Sequence, residues 1–240
     1  MAGSSKGKIL PVERFVKSFE EQSLRLADSV FGQTVSGKWV YQSEVIDYVE
    51  EDLFMAPDLS TIRKIPWNKE PTAQIICDLN YPSGEPSKIA PRQVLKNIIR
   101  QLSDENLRAV VAPELEFYLC EQNLDPDLPL KTPVGKSGRR ETGSRVFGID
   151  AVNEFDKLTD DIYDYCELMN IGVDTLVHES GPSQIEINLN HGDPLALADQ
   201  AFMFKRAVRQ VALKHNIHAT LSLIHISEPT RRRGIGGCGV

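Results

Sequence analysis

Alternation of apolar and acidic residues over a short run is the strongest constraint in this sequence, because a β-strand with one buried face places every second residue on the same side. The run is PELEFYL, residues 113–119. Its period of two puts Glu114 and Glu116 together on one face. The opposite face carries Leu115, Phe117 and Leu119. We therefore expect a half-buried strand that holds two carboxylates side by side.

A second run repeats this arrangement after a Gly-Pro turn at residues 181–182. Glu186 alternates with two isoleucines and a leucine, and Glu179 lies on the other side of the turn. Four glutamates would then share one sheet face. From the spacing alone they can also be solvent-facing residues of amphipathic strands, and periodicity does not decide between these two interpretations.

The chemistry of such a face follows from its charge. Carboxylates held close together raise one another's pKa unless a cation neutralises them. Hard divalent ions such as Mg²⁺ and Mn²⁺ prefer oxygen ligands, and two of them commonly clamp a transferring phosphoryl group. Phosphoryl transfer is therefore the natural hypothesis. His178, beside Glu179, is on pattern alone a strand histidine satisfied within the fold, and we assign it no catalytic role.

Composition limits the class of protein. The 240 residues are 41% hydrophobic and 25% charged, which is ordinary for one large or two modest globular domains. A formal net charge of −7 argues against nucleic acid or an anionic membrane as the main partner. The four cysteines are scattered without a CxxC pair, and no run of about 18 apolar residues predicts a membrane span. We expect a soluble, cytoplasmic protein.

The first part of the chain carries both helical and extended patterns. After a disordered start at residues 1–11, apolar residues at helical spacing predict an amphipathic helix over residues 12–26. Short β-rich runs broken by glycine, proline and aspartate predict a small mixed sheet at residues 38–41, 60–65 and 72–79. A proline in the first turn and an apolar stripe predict a helix over residues 91–104. We expect this first domain to cover residues 12–105.

The second domain is expected at residues 106–220. Its patterns predict, in order, a strand at 108–120, a surface loop at 121–147, a helix at 152–170, strands at 173–179 and 183–190, and a helix at 193–216. Asp193 and Pro194 are the N-cap and first-turn proline of the last helix. The two later strands form a hairpin about the Gly-Pro turn.

These residues resemble a known family. The runs PELEFYL at 113–119 and HESGPSQIEIN at 178–188 resemble the two metal-ligand segments of glutamine synthetases. The segment DLFMAPDLSTIRKIPW at 52–67 and residues 32–38 resemble the β-grasp domain of the same family. The resemblance covers residues 15–220. It implies an α+β chain, with a β-grasp-like N-terminal domain followed by the first part of an antiparallel-sheet catalytic domain.

The resemblance also implies roles for single residues. Glu116, Glu179 and Glu186 would hold one Mg²⁺ or Mn²⁺ ion. Glu114 would contribute to a second ion, which bridges towards the phosphates of ATP. Asp52 would deprotonate the incoming ammonium or amine.

The activity implied is an ATP-dependent ligation. In the family, ATP phosphorylates the γ-carboxylate of glutamate, and ammonia or an amine then attacks the γ-glutamyl phosphate to give an amide. Asp174 stands where the family has an acidic residue near the nucleotide. Residues 173–179 and 188–200 are closer to γ-glutamylpolyamine (glutamate–putrescine) ligases than to enzymes that use ammonia. Relatives assemble as homo-oligomeric rings that share active sites between neighbours.

Three alternatives stay open at this point. The first alternative is a glutamine synthetase that uses ammonia, and a non-catalytic scaffold of the same fold is a rival from another class. The presence of Asp52 and of all four glutamates speaks against the scaffold. An unrelated acidic binding module would require both motif segments to be coincidence.

The last residues follow a different pattern. LSLIHISEPTR, residues 221–231, resembles the translation of a transposase-type sequencing adapter, so we expect residues 221–240 to be an artefact that packs poorly. The adapter does not account for Arg232 to Val240. Since the family's later metal and ATP residues are not found, we also expect the chain as given to be inactive and its full-length parent to be the ligase.

Overall fold

The computed structural model describes residues 5–33, 39, 51–125 and 127–221. Its described residues fall into two compact units, one of residues up to 63 together with 73–109, and one of residues 64–72 together with those from 110 onward. Each unit combines helices with a β-sheet. The predicted α+β class is confirmed, whereas the predicted domain boundaries stay a prediction.

The first unit is built on a sheet with the strand order β1-β2-β3, in which β1 and β2 are antiparallel. Its helices and strands are α1 (Val12–Glu20), β1 (Arg25–Ala27), a 3-10 helix (Asp28–Gly32), β2 (Asp52–Lys64), β3 (Ala73–Asn80) and α2 (Pro91–Asp104). The strand predicted at 38–41 lies outside the described residues except for Trp39, which forms an isolated bridge with Gln33.

Helix α1 ends earlier than the apolar spacing predicts. Its last helical residue is Glu20, and Gln22 follows with a φ of 50° in the left-handed region. The backbone N–H of Ser23 donates to the carbonyl of Ser18 at 2.9 Å, as in a Schellman motif. The prediction of a helix to residue 26 is therefore wrong at its C-terminal end, where Leu26 belongs to β1.

Strand β2 begins earlier than the pattern predicts. The predicted run started at residue 60, whereas the strand starts at Asp52 and passes through Pro57. A proline cannot donate to a strand ladder, so its presence argues against a strand on sequence grounds. In the structure β1 pairs with Asp52, Leu53 and Phe54, and Pro57 lies beyond that ladder.

The second unit holds an antiparallel sheet with the strand order β5-β6-β4-β7. Its helices and strands are β4 (Glu114–Glu121), α3 (Ile149–Asn153), α4 (Asp156–Leu168), β5 (Val173–His178), β6 (Gln184–Leu189), α5 (Pro194–Lys214) and β7 (Ile217–Thr220). The sequence pattern did not predict β7, which follows directly after Asn216 at a φ of 57°.

One face of this sheet forms the core. The predicted alternation is confirmed, because the apolar residues of β4 and β6 share that face and are almost fully buried; these are Phe117, Leu119, Ile185, Ile187 and Leu189. Helix α5 contributes five side chains that are fully buried, namely Phe204, Ala207, Val208, Val211 and Ala212. The Asp193 carboxylate accepts hydrogen bonds from the first turn of α5, as its N-cap position predicts.

The helix predicted at 152–170 is divided into α3 and α4. The break falls at Phe155, which is buried and has a φ of −124°. The carbonyl of Glu154 accepts a hydrogen bond from the N–H of Lys136 at 3.0 Å, and its carboxylate accepts one from the N–H of Ser137 at 2.9 Å. The backbone carbonyl of Glu154 is thus occupied by a residue distant in sequence at the point where the helix breaks.

Helix α2 matches its predicted bounds, and it is tied to the sheet of the first unit by ion pairs. The Arg92 guanidinium lies 2.6 Å from the Asp58 carboxylate on β2 and 2.7 Å from the Asp78 carboxylate on β3. Lys96 also contacts Asp78 at 2.5 Å. Hydrogen bonds from Ser60 and Arg92 hold the pKa of Asp58 below its ordinary value.

Membrane spans and cysteines were both considered in the sequence, and the described part of the chain shows the following for each. No helix there is long and apolar enough to cross a membrane. Cys77, Cys120 and Cys166 are free thiols. Burial raises the pKa of Cys120 to about 11 and that of Cys166 to about 12, so both stay protonated at neutral pH.

Replacing Arg92 with methionine should destabilise the first unit by roughly 1–3 kcal/mol, because two partly buried aspartates lose their shared partner. The lowered pKa of Asp58 means that its stabilising contribution is present above its ordinary pKa of 3.8 and is lost as the pH falls through the lower folded value. The deficit of the variant should therefore shrink in acid. Urea unfolding at neutral and acidic pH measures both effects.

The matched control for this prediction is Arg100→Met on the same helix, where the exposed arginine donates to its neighbour Asn97. It should change the free energy of unfolding by less than about 0.5 kcal/mol. Equal destabilisation by the two variants would show that the Arg92 ion pairs do not hold α2.

Candidate active site

The acidic face of the second sheet is set by the pairing of β4 with β6. Glu116 lies directly opposite Glu186, and Glu114 lies opposite Asn188. Residues that oppose each other in an antiparallel pair project from the same face. The structure therefore confirms that Glu114, Glu116 and Glu186 share one face, away from the apolar core.

Glu179 follows the last residue of β5 and belongs to the same side. In the ladder between β5 and β6, Val177 opposes Glu186, and alternation places Glu179 on the face of Val177. The N–H of Glu179 donates to the carbonyl of Gln184 at 2.9 Å. The hairpin predicted around the Gly-Pro turn is therefore confirmed, and it presents the fourth glutamate to the acidic face.

The electrostatics of this face are unfavourable without a cation. Burial raises the pKa of Glu186, and the charges of Glu179, Glu114 and Glu116 raise it further. A hydrogen bond with Asn188 opposes this shift. A bound divalent cation would offset the repulsion among the four carboxylates.

Gln184 is a site residue that the sequence analysis missed. Its side chain is buried, its Nε2 donates to Oε2 of Glu116 at 2.6 Å, and its Oε1 accepts from the N–H of Gly181 at 2.8 Å. One amide thus connects a glutamate of β4 to the turn between β5 and β6. The signal in the sequence was a polar residue at a strand start, which by itself does not indicate a partner.

Gly181 is required by a neighbour on β4 rather than by its own backbone angles. A Cβ at this position would overlap with the hydroxyl and ring of Tyr118. Burial raises the pKa of the Tyr118 phenol, and the negative charges of Glu116 and Glu179 add to the shift. The Gly-Pro turn therefore packs directly on the strand that carries Glu114 and Glu116.

The remaining predicted residues lie at three different places. Asp52 is the exposed first residue of β2 in the first unit, opposite Ala27. Asp174 is exposed at an irregularity of β5 between Val173 and Thr175. His178 is 1% exposed on the core face, opposite Ile185, so its interpretation as a satisfied strand histidine is confirmed.

The acidic face meets part of the coordination requirements of a divalent ion, namely the type of donor atom and the placement of the backbone. Its donors are oxygen atoms, which Mg²⁺ and Mn²⁺ prefer, and three of the glutamates belong to two successive pairs on the same face of one sheet. In the described part of the chain, no three histidine, cysteine or acidic side chains are positioned to enclose an ion. The donor chemistry and backbone placement fit a divalent cation, although the side chains as they stand do not close around one.

Comparison with known proteins identifies the class of the chain. Residues 88–228 match the family model described as glutamine synthetase, catalytic domain. The chain therefore belongs to the glutamine synthetase family, whose members ligate glutamate to ammonia or an amine.

Three curated relatives are each similar to this chain over 91% of its length. The chain is 34% identical to γ-glutamylputrescine synthetase PuuA of Escherichia coli, over 91% of this chain and 46% of the relative. It is 28% identical to glutamate–isopropylamine ligase of a Pseudomonas species, over 91% and 47%. Glutamine synthetase of Thermus thermophilus is 30% identical, over 91% and 48%. The chain thus spans about half the length of the curated relatives it matches.

Solved structures show the same fold. Ligand-free GmaS superposes with a TM-score of 0.71 at 20% sequence identity and covers 91% of this chain and 47% of its own. A structure described as a novel glutamine synthase homolog gives a TM-score of 0.74 at 18% identity, over 91% and 48%. At these identities the likeness shows the fold, which is that of the family.

Replacing Glu186 with glutamine should raise the free energy of unfolding near neutral pH by up to about 1 kcal/mol. Because its folded pKa is raised, the wild-type carboxyl favours folding below its ordinary pKa of 4.5 and loses that contribution as the pH rises through the folded value. The gain should therefore vanish in acid. Urea unfolding at neutral and acidic pH measures it.

Added Mn²⁺ should reverse the order of stability, because the wild-type face gains a compensating charge that the variant uses less well. Glu167→Gln on the exposed side of α4 serves as the control, and Mn²⁺ should not change its stability relative to wild type in this way. A Glu186→Gln variant less stable than wild type in metal-free neutral buffer would contradict the repulsion described here.

Proposed function

We propose that the parent protein of this chain ligates glutamate to an amine in an ATP-dependent reaction through γ-glutamyl phosphate. The observation that carries the proposal is the acidic face of the second sheet, where the strand pairing places Glu114, Glu116, Glu179 and Glu186 on one side. Membership of the glutamine synthetase family supports the reaction class.

The four glutamates would divide between two divalent ions. Glu116, Glu179 and Glu186 would hold one Mg²⁺ or Mn²⁺ ion, and Glu114 would contribute to a second. When bound, such ions offset charge on the transferring phosphoryl group and on the glutamate carboxylate. Gln184, which donates to Glu116, would fix the orientation of that carboxylate.

Two aspartates would complete the chemistry. Asp52 would accept a proton from the ammonium ion or the protonated amine. The neutral nitrogen would then attack the carbonyl carbon of the acyl phosphate, and the amide would form as phosphate leaves and the nitrogen loses a further proton to solvent. Asp174 would lie near the nucleotide. In the proposed homo-oligomeric ring, Asp52 serves the neighbouring subunit, and the reducing cytoplasm is the proposed location.

The amine is the finer part of the proposal. The name of the relative from Escherichia coli indicates putrescine, and that of the Pseudomonas relative indicates isopropylamine. Both support an organic amine, whereas the Thermus relative, a glutamine synthetase, supports ammonia. We favour a polyamine, with ammonia as the alternative.

A form of the protein that continues with its native sequence beyond Thr220 should release ADP in the presence of Mg²⁺ or Mn²⁺, glutamate and putrescine. Omission of either glutamate or the amine should abolish the release. Glu116→Ala should lower the rate at least about 100-fold, because it removes a carboxylate proposed to hold the ion. A coupled ADP assay measures each case, and the 240-residue chain should show no turnover.

Glu121→Ala is the matched control, since Glu121 ends the same strand and opposes Ile217 on the other face. It should retain most of the activity. Efficient turnover with ammonia and none with putrescine would overturn the polyamine assignment. Absence of turnover with both amines would favour the non-catalytic scaffold.

A further inference from the structure

His178 and Glu179 are consecutive residues that project from opposite sides of the second sheet. His178 opposes Ile185 on the core face and is 1% exposed, whereas Glu179 belongs to the acidic face. Contacts that fix the ring of His178 therefore also limit the position of Glu179. These contacts are made by Glu141 and by the backbone of the turn.

Glu141 reaches the same place from the long irregular segment between β4 and α3. Its Oε2 lies 2.9 Å from Nε2 of His178 and accepts a hydrogen bond from the N–H of Ser183 at 2.6 Å. His178 ends β5, and Ser183 immediately precedes β6. A single carboxylate oxygen thus joins the two ends of the turn that carries Glu179.

The ring of His178 passes this constraint to the backbone. Its Nδ1 lies within hydrogen-bond distance of the carbonyl oxygen of Glu179, at 2.7 Å. Its Nε2 lies 2.9 Å from Oε2 of Glu141, so the two ring nitrogens contact two different partners. The chain of contacts therefore runs from Glu141 through the imidazole to Glu179.

The arrangement is costly in itself. The other oxygen of Glu141, Oε1, is buried without a hydrogen-bond partner, and so is the hydroxyl of Ser183. Ser183 also has a φ of 58°, in the left-handed region that residues other than glycine seldom adopt. Burying a carboxylate is costly, and packing a surface loop does not require it. We therefore infer that Glu141 has a role beyond loop packing.

Hydrogen bonds hold the irregular segment in place on either side of Glu141. The Thr132 hydroxyl donates to the carbonyl of Glu141 at 3.0 Å, and the N–H of Phe147 donates to the carbonyl of His178 at 2.9 Å. The first of these bonds lies within the segment, and the second connects the segment to the last residue of β5. The carboxylate is held at the turn by its own segment.

We propose that Glu141 and His178 are positioning residues that hold the turn between β5 and β6 and thereby aim Glu179 at the acidic face. The metal-binding consequence rests on the proposed function, because it requires that Glu179 holds a divalent ion. The effect on the turn itself does not.

The first arm of the experiment measures the ion. Mn²⁺ is titrated into the 240-residue chain, and the free ion is followed by electron paramagnetic resonance. Glu141→Gln keeps the size of the side chain but removes its charge, and it should raise the dissociation constant about tenfold, as loss of a partner behind a metal ligand commonly does. Glu121→Gln is the matched control, because it removes the charge of another glutamate, paired with Arg140 of the same segment, and should leave the constant unchanged.

The second arm measures the turn without metal. Amide hydrogen exchange should become faster at residues 179–184 in Glu141→Gln and should stay unchanged in α5. Glu121→Gln should not alter exchange at the turn. His178→Asn, which retains a donor near the position of Nδ1 but loses the contact with Glu141, should reproduce the effect of Glu141→Gln in both arms and serves if that variant fails to fold.

The two arms separate the failures. Unchanged exchange at residues 179–184 in Glu141→Gln would overturn the positioning role, and so would an equal effect of Glu121→Gln. A wild-type chain that binds no Mn²⁺ would contradict the proposed metal site, while the exchange data would still decide the role of Glu141. Faster exchange with unchanged Mn²⁺ affinity would overturn the link between the turn and the ion.

Discussion

The antiparallel ladder between β4 and β6 is the interaction on which the second unit depends. In adjacent rungs it pairs Phe117 with Ile185 and Glu116 with Glu186. A slip by one residue would turn the isoleucine towards the acidic face and the glutamate into the core. Because burying an ionised carboxylate without a partner is costly, the requirements of the core also fix the position of the acidic residues. One register therefore determines both faces.

The sequence predicted the parts of this arrangement that depend on local periodicity. The alternation in β4 and β6, the bounds of α2 and the N-cap at Asp193 all follow from spacings of a few residues, and the structure reproduces them. The likeness of the two runs predicted that their glutamates share one sheet face, but it did not predict the direct pairing of β4 with β6. The family resemblance, carried by those same runs, is likewise confirmed.

What the sequence did not predict depends on partners that are distant along the chain. The bond from Gln184 to Glu116 joins residues of two strands, and the contact of Glu141 with His178 spans an irregular segment without periodicity. The helix break at Phe155 occurs where the N–H of Lys136 donates to the carbonyl of Glu154. Local propensity contains no information about such contacts, so a loop prediction for Glu141 was reasonable and incomplete.

The packing of Tyr118 against Gly181 has a practical consequence. The phenol lies beside Glu116 and Glu179, whose charges add to the burial that raises its pKa. Removing that negative charge would let the phenol ionise at lower pH. Tyrosinate absorbs ultraviolet light at longer wavelength than tyrosine, so the strand that carries the glutamates also contains a natural optical indicator of their charge. A cation bound at this face would shift the pH at which the ultraviolet absorbance of Tyr118 changes, and this shift can be measured without a label.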